Sequence, residues 1–248
     1  MTITSPGPEA QRTLSREQVE AFHHDLFVED QVRDFEQMVP PPRPDGWVVD
    51  LGGGCGFFAR RLQQGSGRRV RVVDLDEASV RTCREAGIEA VLGDALTPTL
   101  SGREEAATFN LILHHLVANS EAKTRALQVR ALRNLHSRVP YVFINEYIYE
   151  SFVGHLSGWL IFQITKSRLL SAVGRAVAHV VPSFRANTFG VGVRFRSHAE
   201  WRSLFEEAGF EVRATRLGRP ETVAPPLRLL VIRTIRRDSF LLQARPAA

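Results

Sequence analysis

Residues 48–62, Val48-Val49-Asp50-Leu51-Gly52-Gly53-Gly54-Cys55-Gly56-Phe57-Phe58-Ala59-Arg60-Arg61-Leu62, constrain this chain more than any other stretch. A short apolar run enters a glycine turn and leaves it as a helix-forming segment. Such a turn lets a ligand lie against bare backbone at the carboxyl ends of parallel strands. The dinucleotide spacing G-x-G-x-x-G fails here. Counted from Gly52, the third glycine position holds Phe57; counted from Gly53, the second holds Cys55. The spacing that fits is Asp-x-Gly-x-Gly-x-Gly, with Asp50, Gly52, Gly54 and Gly56. A carboxylate at the strand end repels a pyrophosphate but suits a ligand that carries an ammonium group.

The rest of the first 150 residues keeps the same rhythm. Residues 47–51, 69–75, 90–93, 109–113 and 141–145 read as strands, and 57–64, 78–86 and 122–136 as helices. This alternation predicts an α/β, Rossmann-like, doubly wound and mostly parallel seven-stranded sheet. Ser15, with Gln18 three residues on, opens a helical segment running to about Val39, read either as one helix or as two broken near Glu29-Asp30; Pro40-Pro41-Pro42 ends it. Late in the chain, a helix around Trp201 stops at Gly209 and feeds a strand over 210–215. Two apolar stretches, 229–235 and 240–243, compete for the last strand. The resulting organisation is a tail and lid helix over 1–44, a core over 45–150 and 197–248, and a helical insert over 151–196.

At the glycine loop the chain resembles the class I S-adenosylmethionine-dependent methyltransferases, whose first motif Asp50, Gly52, Gly54 and Gly56 match without a gap. Two downstream motifs agree. Asp74 ends the second strand in Val70-Arg71-Val72-Val73-Asp74, placed to accept from both ribose hydroxyls, with Asp76 as fallback or as a helix cap. Gly93-Asp94-Ala95 matches the place where the family meets the adenine, Asp94 accepting from the amino group beside the Ala95 amide. Asn110 stands where many members have Asp, a position expected at the start of the fourth strand and of little consequence for the cofactor. The resemblance covers about residues 45–150 and 198–217. It implies S-adenosylmethionine as cofactor and a small-molecule substrate.

Methyl transfer from a sulfonium is an in-line displacement, so alignment dominates and a base matters only for a protonated acceptor. His114-His115 directly follows the fourth strand, and Asn145-Glu146-Tyr147 ends the fifth. His114, His115 and Glu146 are therefore the catalytic candidates, and Tyr147 a wall of the substrate site. His23-His24-Asp25 could reach the site from a lid. Cys55 reads as a filler of the loop. No H-E-x-x-H frame points to a metal. In the insert, Trp159, Leu160, Phe162, Ile164, Leu169, Leu170 and Val173 support amphipathic helices, while Arg168, Arg175, Arg185, Arg194 and Arg196 make the region cationic. Arg185 and its neighbours are candidates to bind an anionic acceptor, or to rim a dimer interface.

Charge is divided unevenly. Residues 1–150 carry 17 basic and 21 acidic side chains, residues 151–248 carry 15 and 6. The overall excess of +5 thus belongs to the second part of the chain, a pattern that suits an anionic or amino-acid-like metabolite better than a nucleic acid. Two cysteines without a CxxC pair exclude a disulfide framework and point to the cytoplasm. No apolar run is long enough to span a membrane, and no membrane partner is expected. The expected function is a methyltransferase of secondary metabolism, alone, as a homodimer or with a pathway partner. The alternatives are an enzyme of the same fold catalysing a cyclisation or elimination, or a non-catalytic subunit.

Overall fold

The computed structural model describes residues 27–180 and 189–246. The tail, the Ser15 cap, His23-His24-Asp25 and Arg185 lie outside them. Within them the chain runs α1 (Val28–Met38), β1 (Trp47–Leu51), α2 (Phe57–Ser66), β2 (Arg69–Asp74), α3 (Glu77–Glu85), β3 (Glu89–Leu92), β4 (Glu104–Asn110), α4 (Glu121–Arg133) and β5 (Tyr141–Ser151). It continues with α5 (Leu156–Lys166), α6 (Arg168–Val180), α7 (His198–Glu207), β6 (Phe210–Arg216) and β7 (Ile232–Ala244). The sheet order is β3-β2-β1-β4-β5-β7-β6, parallel except for β7, which pairs antiparallel with β5 and β6.

Strand alternation sends side chains to two cores. Val49, Leu51, Phe109, Ile144 and Phe240 pack with α4 and α7 through Leu132, Trp201 and Phe205. Val48, Val70, Val72 and Phe143 pack with α1 and α2 through Val32, Phe35, Phe58 and Leu62. Each large apolar side chain buried this way contributes roughly 1.5–3 kcal/mol. Side-chain caps set three helix starts: Asp76 accepts from Ser79 N at 2.8 Å, Ser120 from Lys123 N, and Ser197 forms a capping box with Glu200.

Two expectations shift. The fourth strand was expected over 109–113 but occupies Glu104–Asn110. Two buried carboxylates disguise its start: Glu104 accepts from Ser101 and Gly102, and Glu105 pairs with buried Arg68 at 2.5 Å. Its end comes at Leu111, which turns left-handed (φ 55°) and releases Ile112 and Leu113 from the sheet. Of the first candidate last strand, 229–231 close the 3-10 turn before β7, whereas 232–235 lie with the second candidate, 240–243, in that one 13-residue strand. The charged run that separates them is paired within the fold, Arg236 with Glu150 and Asp238, and Arg237 with Glu221.

Candidate functional site

The order reverses between β1 and β4, and the crevice outside their carboxyl ends is where ligands bind in sheets of this kind. The glycine loop forms its floor. Gly52 N donates to Val73 O at 2.7 Å, and Gly54 N to Asp74 Oδ2 at 2.9 Å, which ties the loop to β2. Gly54 and Gly56 are left-handed (φ 54° and 74°), and no side chain caps α2 at Gly56. Gly53 has ordinary dihedrals but no room: a Cβ would stand 2.4 Å from Asp50 Oδ2.

A cavity of about 250 Å³ opens above this loop. Asp50, Asp74, Asp76, Ser79, Asn110, Ile112, His115 and residues of the glycine loop line it, with Phe27, Val28 and Gln31 from α1 and its entry on the other side. Three carboxylates and no lysine or arginine stand among these lining residues. Asp50 is fully buried, and burial pushes its carboxyl up to about 6, although Thr108 Oγ1 (2.6 Å) and Asn110 Nδ2 (3.2 Å) donate to its Oδ1. Its Oδ2, and Asn110 Oδ1, have no hydrogen-bond partner among the described residues. Burial also raises Asp74, against the amides of Asp76 and Gly54 that favour its charge. His115 is pushed well below the usual imidazole range by burial, with His114 beside it, and is neutral at pH 7. The cavity is therefore net negative.

Asn110 departs from expectation. It closes β4 rather than opening it, so it reaches the cavity and holds Asp50. Asp76 caps α3 and also faces the cavity. Asp94 and Ala95 follow β3, whose end is tied to β2 by Gly93 N donating to Asp74 O at 2.9 Å. Asp94 accepts from Leu96 N, Ala95 is in the core, and neither lines the cavity.

The two histidines divide. His115 faces the cavity, whereas His114 is buried with Nδ1 2.7 Å from Glu146 Oε2. Glu146 is itself fully buried and accepts from the amides of Leu113 (2.7 Å), His114 (3.4 Å) and Tyr147 (3.1 Å). It thereby shapes the turn after β4. The His114 ring meets His115 at 4.2 Å and Phe195 at 4.9 Å, and Tyr147 joins edge-on at 5.8 Å. Tyr149 stacks on Phe195 at 4.2 Å, and Phe27 approaches Tyr147 at 6.3 Å. Tyr149 and Phe195 escaped the sequence reading because nothing in their local spacing marks an aromatic wall assembled from three separate segments.

Two arginines of the insert are engaged by partners within the fold. Arg194 is paired with Glu121 and Glu200, each at 2.6 Å. Arg196 reaches Glu121 at 2.8 Å and Gln128 at 2.8 Å. Both are buried, because the segment that carries them threads between α4 and α7. Cys55 is half-buried and burial raises its thiol, in keeping with a filler.

The strand order, the antiparallel β7 and the glycine loop at the switch point together define the Rossmann-like fold of class I methyltransferases. Among solved structures, a Leishmania major S-adenosylmethionine-dependent methyltransferase superposes with TM-score 0.59 at 15% identity, over 91% of this chain and 75% of that one. Burkholderia thailandensis 1,6-didemethyltoxoflavin-N1-methyltransferase, with bound 1,6-didemethyltoxoflavin and S-adenosylhomocysteine, gives 0.57 at 14% identity over 92% and 82%. Geranyl diphosphate C-methyltransferase from Streptomyces coelicolor A3(2) gives 0.55 at 13% over 96% and 91%. No protein-family model matches the chain, and a search of curated proteins returns no match.

Proposed function

We propose that this protein is an S-adenosylmethionine-dependent methyltransferase of a small molecule. One observation carries the reading: the cavity at the switch point is lined by three carboxylates and no lysine or arginine. Such a wall favours a ligand bearing a sulfonium and an ammonium and repels a dinucleotide pyrophosphate. The acceptors present suit the donors of that cofactor. Asp50 Oδ2 and Asn110 Oδ1 are buried acceptors in need of a donor, and Asp74 ends β2 where ribose hydroxyls would be received. Asp94 and Ala95 keep their proposed place at the adenine, beyond the cavity wall.

When bound, the cofactor supplies an activated methyl group. The chain aligns the acceptor and removes its proton. His115, neutral and facing the cavity, is the proposed proton acceptor. His114 and Glu146 are positioning residues. With the Nδ1 proton donated to Glu146, the carboxylate fixes the His114 ring against His115, and through the Leu113 and His114 amides it fixes the turn that presents both. Tyr147, Tyr149, Phe195 and Phe27 form the proposed aromatic acceptor wall, with the Arg237 guanidinium over the Phe27 ring at 3.6 Å. An anionic acceptor keeps Arg185 as its candidate partner. Two of the named structural neighbours act on small molecules, 1,6-didemethyltoxoflavin and geranyl diphosphate, which supports a role in secondary metabolism.

Titration calorimetry with S-adenosylmethionine tests the reading. We expect saturable one-site binding, weakened at least tenfold by Asp74→Ala. Absence of binding to the wild-type chain overturns the proposal.

A further inference from the structure

A guanidinium stands inside the aromatic wall. Tyr147 on β5 and Arg237 on β7 are directly opposite in the antiparallel pair, so their side chains share one face of the sheet. Asn145, two residues before Tyr147, is on the same face and meets Gln31 of α1, which lines the cavity at the switch point. Arg237 lies over the Phe27 ring at 3.6 Å and the Tyr147 ring at 5.7 Å. Phe27 also lines that cavity, so wall and cavity are continuous. Tyr149 and Phe195 extend the wall as a nearly parallel stack, their planes 11° apart. Backbone bonds pin Phe195 on both sides, Arg194 N donating to His114 O at 2.9 Å and Tyr149 N to Arg196 O at 3.1 Å.

Arg237 differs from the other withdrawn arginines of this region. Arg194 and Arg236 each engage two carboxylates. Arg237 pairs with Glu221 alone among the described residues, and through one nitrogen, Nη1 donating to Oε1 at 2.7 Å. The Glu221 side chain is 38% exposed against 19% for Arg237, so water competes for the acid while the cation is mostly withdrawn from it. Burial raises the Tyr147 hydroxyl, and a hydrogen bond from Arg237 opposes the rise. A guanidinium presents a planar fork of donors that matches both oxygens of a carboxylate, and a single contact to Glu221 leaves that match unmade. Three contacts, of 4.2, 5.8 and 5.7 Å, run from His115 through His114 and Tyr147 to Arg237. The site thus has Asp50, Asp74 and Asp76 at one end and Arg237 at the other. An acceptor with an anionic group is turned by this field so that the anion lies away from the three carboxylates. The rings around the guanidinium favour a flat, unsaturated skeleton.

We propose that Arg237 determines acceptor specificity by binding the carboxylate of an aromatic acid, whose ring lies on Tyr147, Tyr149 and Phe195 and whose methyl-accepting atom is at the end nearer His115. Glu221 holds the guanidinium in place until the acid takes over its free donors. This inference deepens the methyltransferase reading and rests on it for the direction in which the acid lies.

Titration calorimetry on the full chain saturated with S-adenosylhomocysteine tests it. The probes are para-hydroxybenzoate and para-hydroxycinnamate, the carboxamide of each, and cyclohexanecarboxylate as an acid without an aromatic ring. The expected result is that at least one aromatic acid binds, about tenfold or more tighter than its carboxamide and than cyclohexanecarboxylate. Arg237→Gln should reduce that acid to the affinity of its carboxamide, with the carboxamide itself unaffected. Unchanged binding of S-adenosylmethionine and unchanged thermal melting would show that this variant folds. Glu221→Gln leaves the guanidinium in place and removes its competitor, so it should tighten the acid by roughly threefold or more. Tyr149→Leu should weaken acid and carboxamide alike. Binding of neither aromatic acid, equal affinity for acid and carboxamide, an equal loss of both in Arg237→Gln, or weaker acid binding by Glu221→Gln would each overturn the proposal. Absence of S-adenosylmethionine binding would overturn the methyltransferase reading instead, and the same acid titrations of the cofactor-free chain would then decide the role of Arg237 separately.

Discussion

A carboxylate with no exposed surface and one oxygen without a donor, as Asp50 has, opposes the ligand-free fold. Its carboxyl rises from 3.8 to about 6, so between those pH values the folded chain holds a proton that the unfolded chain has released. Stability from this group is therefore greatest below 3.8, falls through the interval and levels off above about 6. Asp50→Asn should stabilise the free protein at pH 7 by about 1–3 kcal/mol, read by urea unfolding, and weaken cofactor binding at least tenfold. Wild-type affinity should decline as pH drops below about 6, where Asp50 is neutralised, and the variant should lose that dependence. The residue types in the first motif were readable because alternate glycines beside a strand-end acid have few other uses. Asn110 was misplaced by one strand length, since only the left-handed Leu111 decides where β4 ends.

At the level of elements, the segment that joins the insert to α7 is held by charge. Burial pushes Glu121 up, but the guanidinium groups of Arg196 and Arg194 outweigh it and hold the carboxyl below its ordinary range. The pair energy is thus present above the unfolded value of 4.5 and is lost as pH falls through the lower folded value. Glu121→Ala leaves two buried guanidinium groups short of a partner. Discounted for the partial exposure of Glu121, the cost should be about 2 kcal/mol, measured as a lower urea midpoint. This arrangement also explains why a cationic segment misleads. Sequence shows the arginines, but their partners lie on α4 and α7, 73 and 6 residues away from Arg194. A buried polar chain ties α1 to the sheet in the same manner: Gln31 donates to Asn145 at 3.2 Å, Asn145 to Ser239 at 2.9 Å, and Ser239 to Asp34 at 2.8 Å. Of these residues only Asn145 stands out in sequence, and its partners do not.

Across the whole molecule, α1, the glycine loop, β2 and the turn after β4 converge on one cavity, so a ligand there links both cores. Cofactor at a hundred times its dissociation constant should add about 2.7 kcal/mol and raise the melting temperature by roughly 5–10 °C. A scan with and without S-adenosylmethionine measures it, and no shift would oppose the proposed site. The sequence by itself determined the parallel α/β plan, the glycine turn and the acids at the ends of β1 and β2, because apolar periodicity and turn chemistry act over a few neighbouring residues. Only the tertiary structure decided that β7 is one strand, that His115 rather than His114 faces the cavity, and that Arg194 and Arg196 are spent inside the fold. Those outcomes depend on partners brought together from distant segments, and the burial and charge balance they create exists only once the chain has closed on itself.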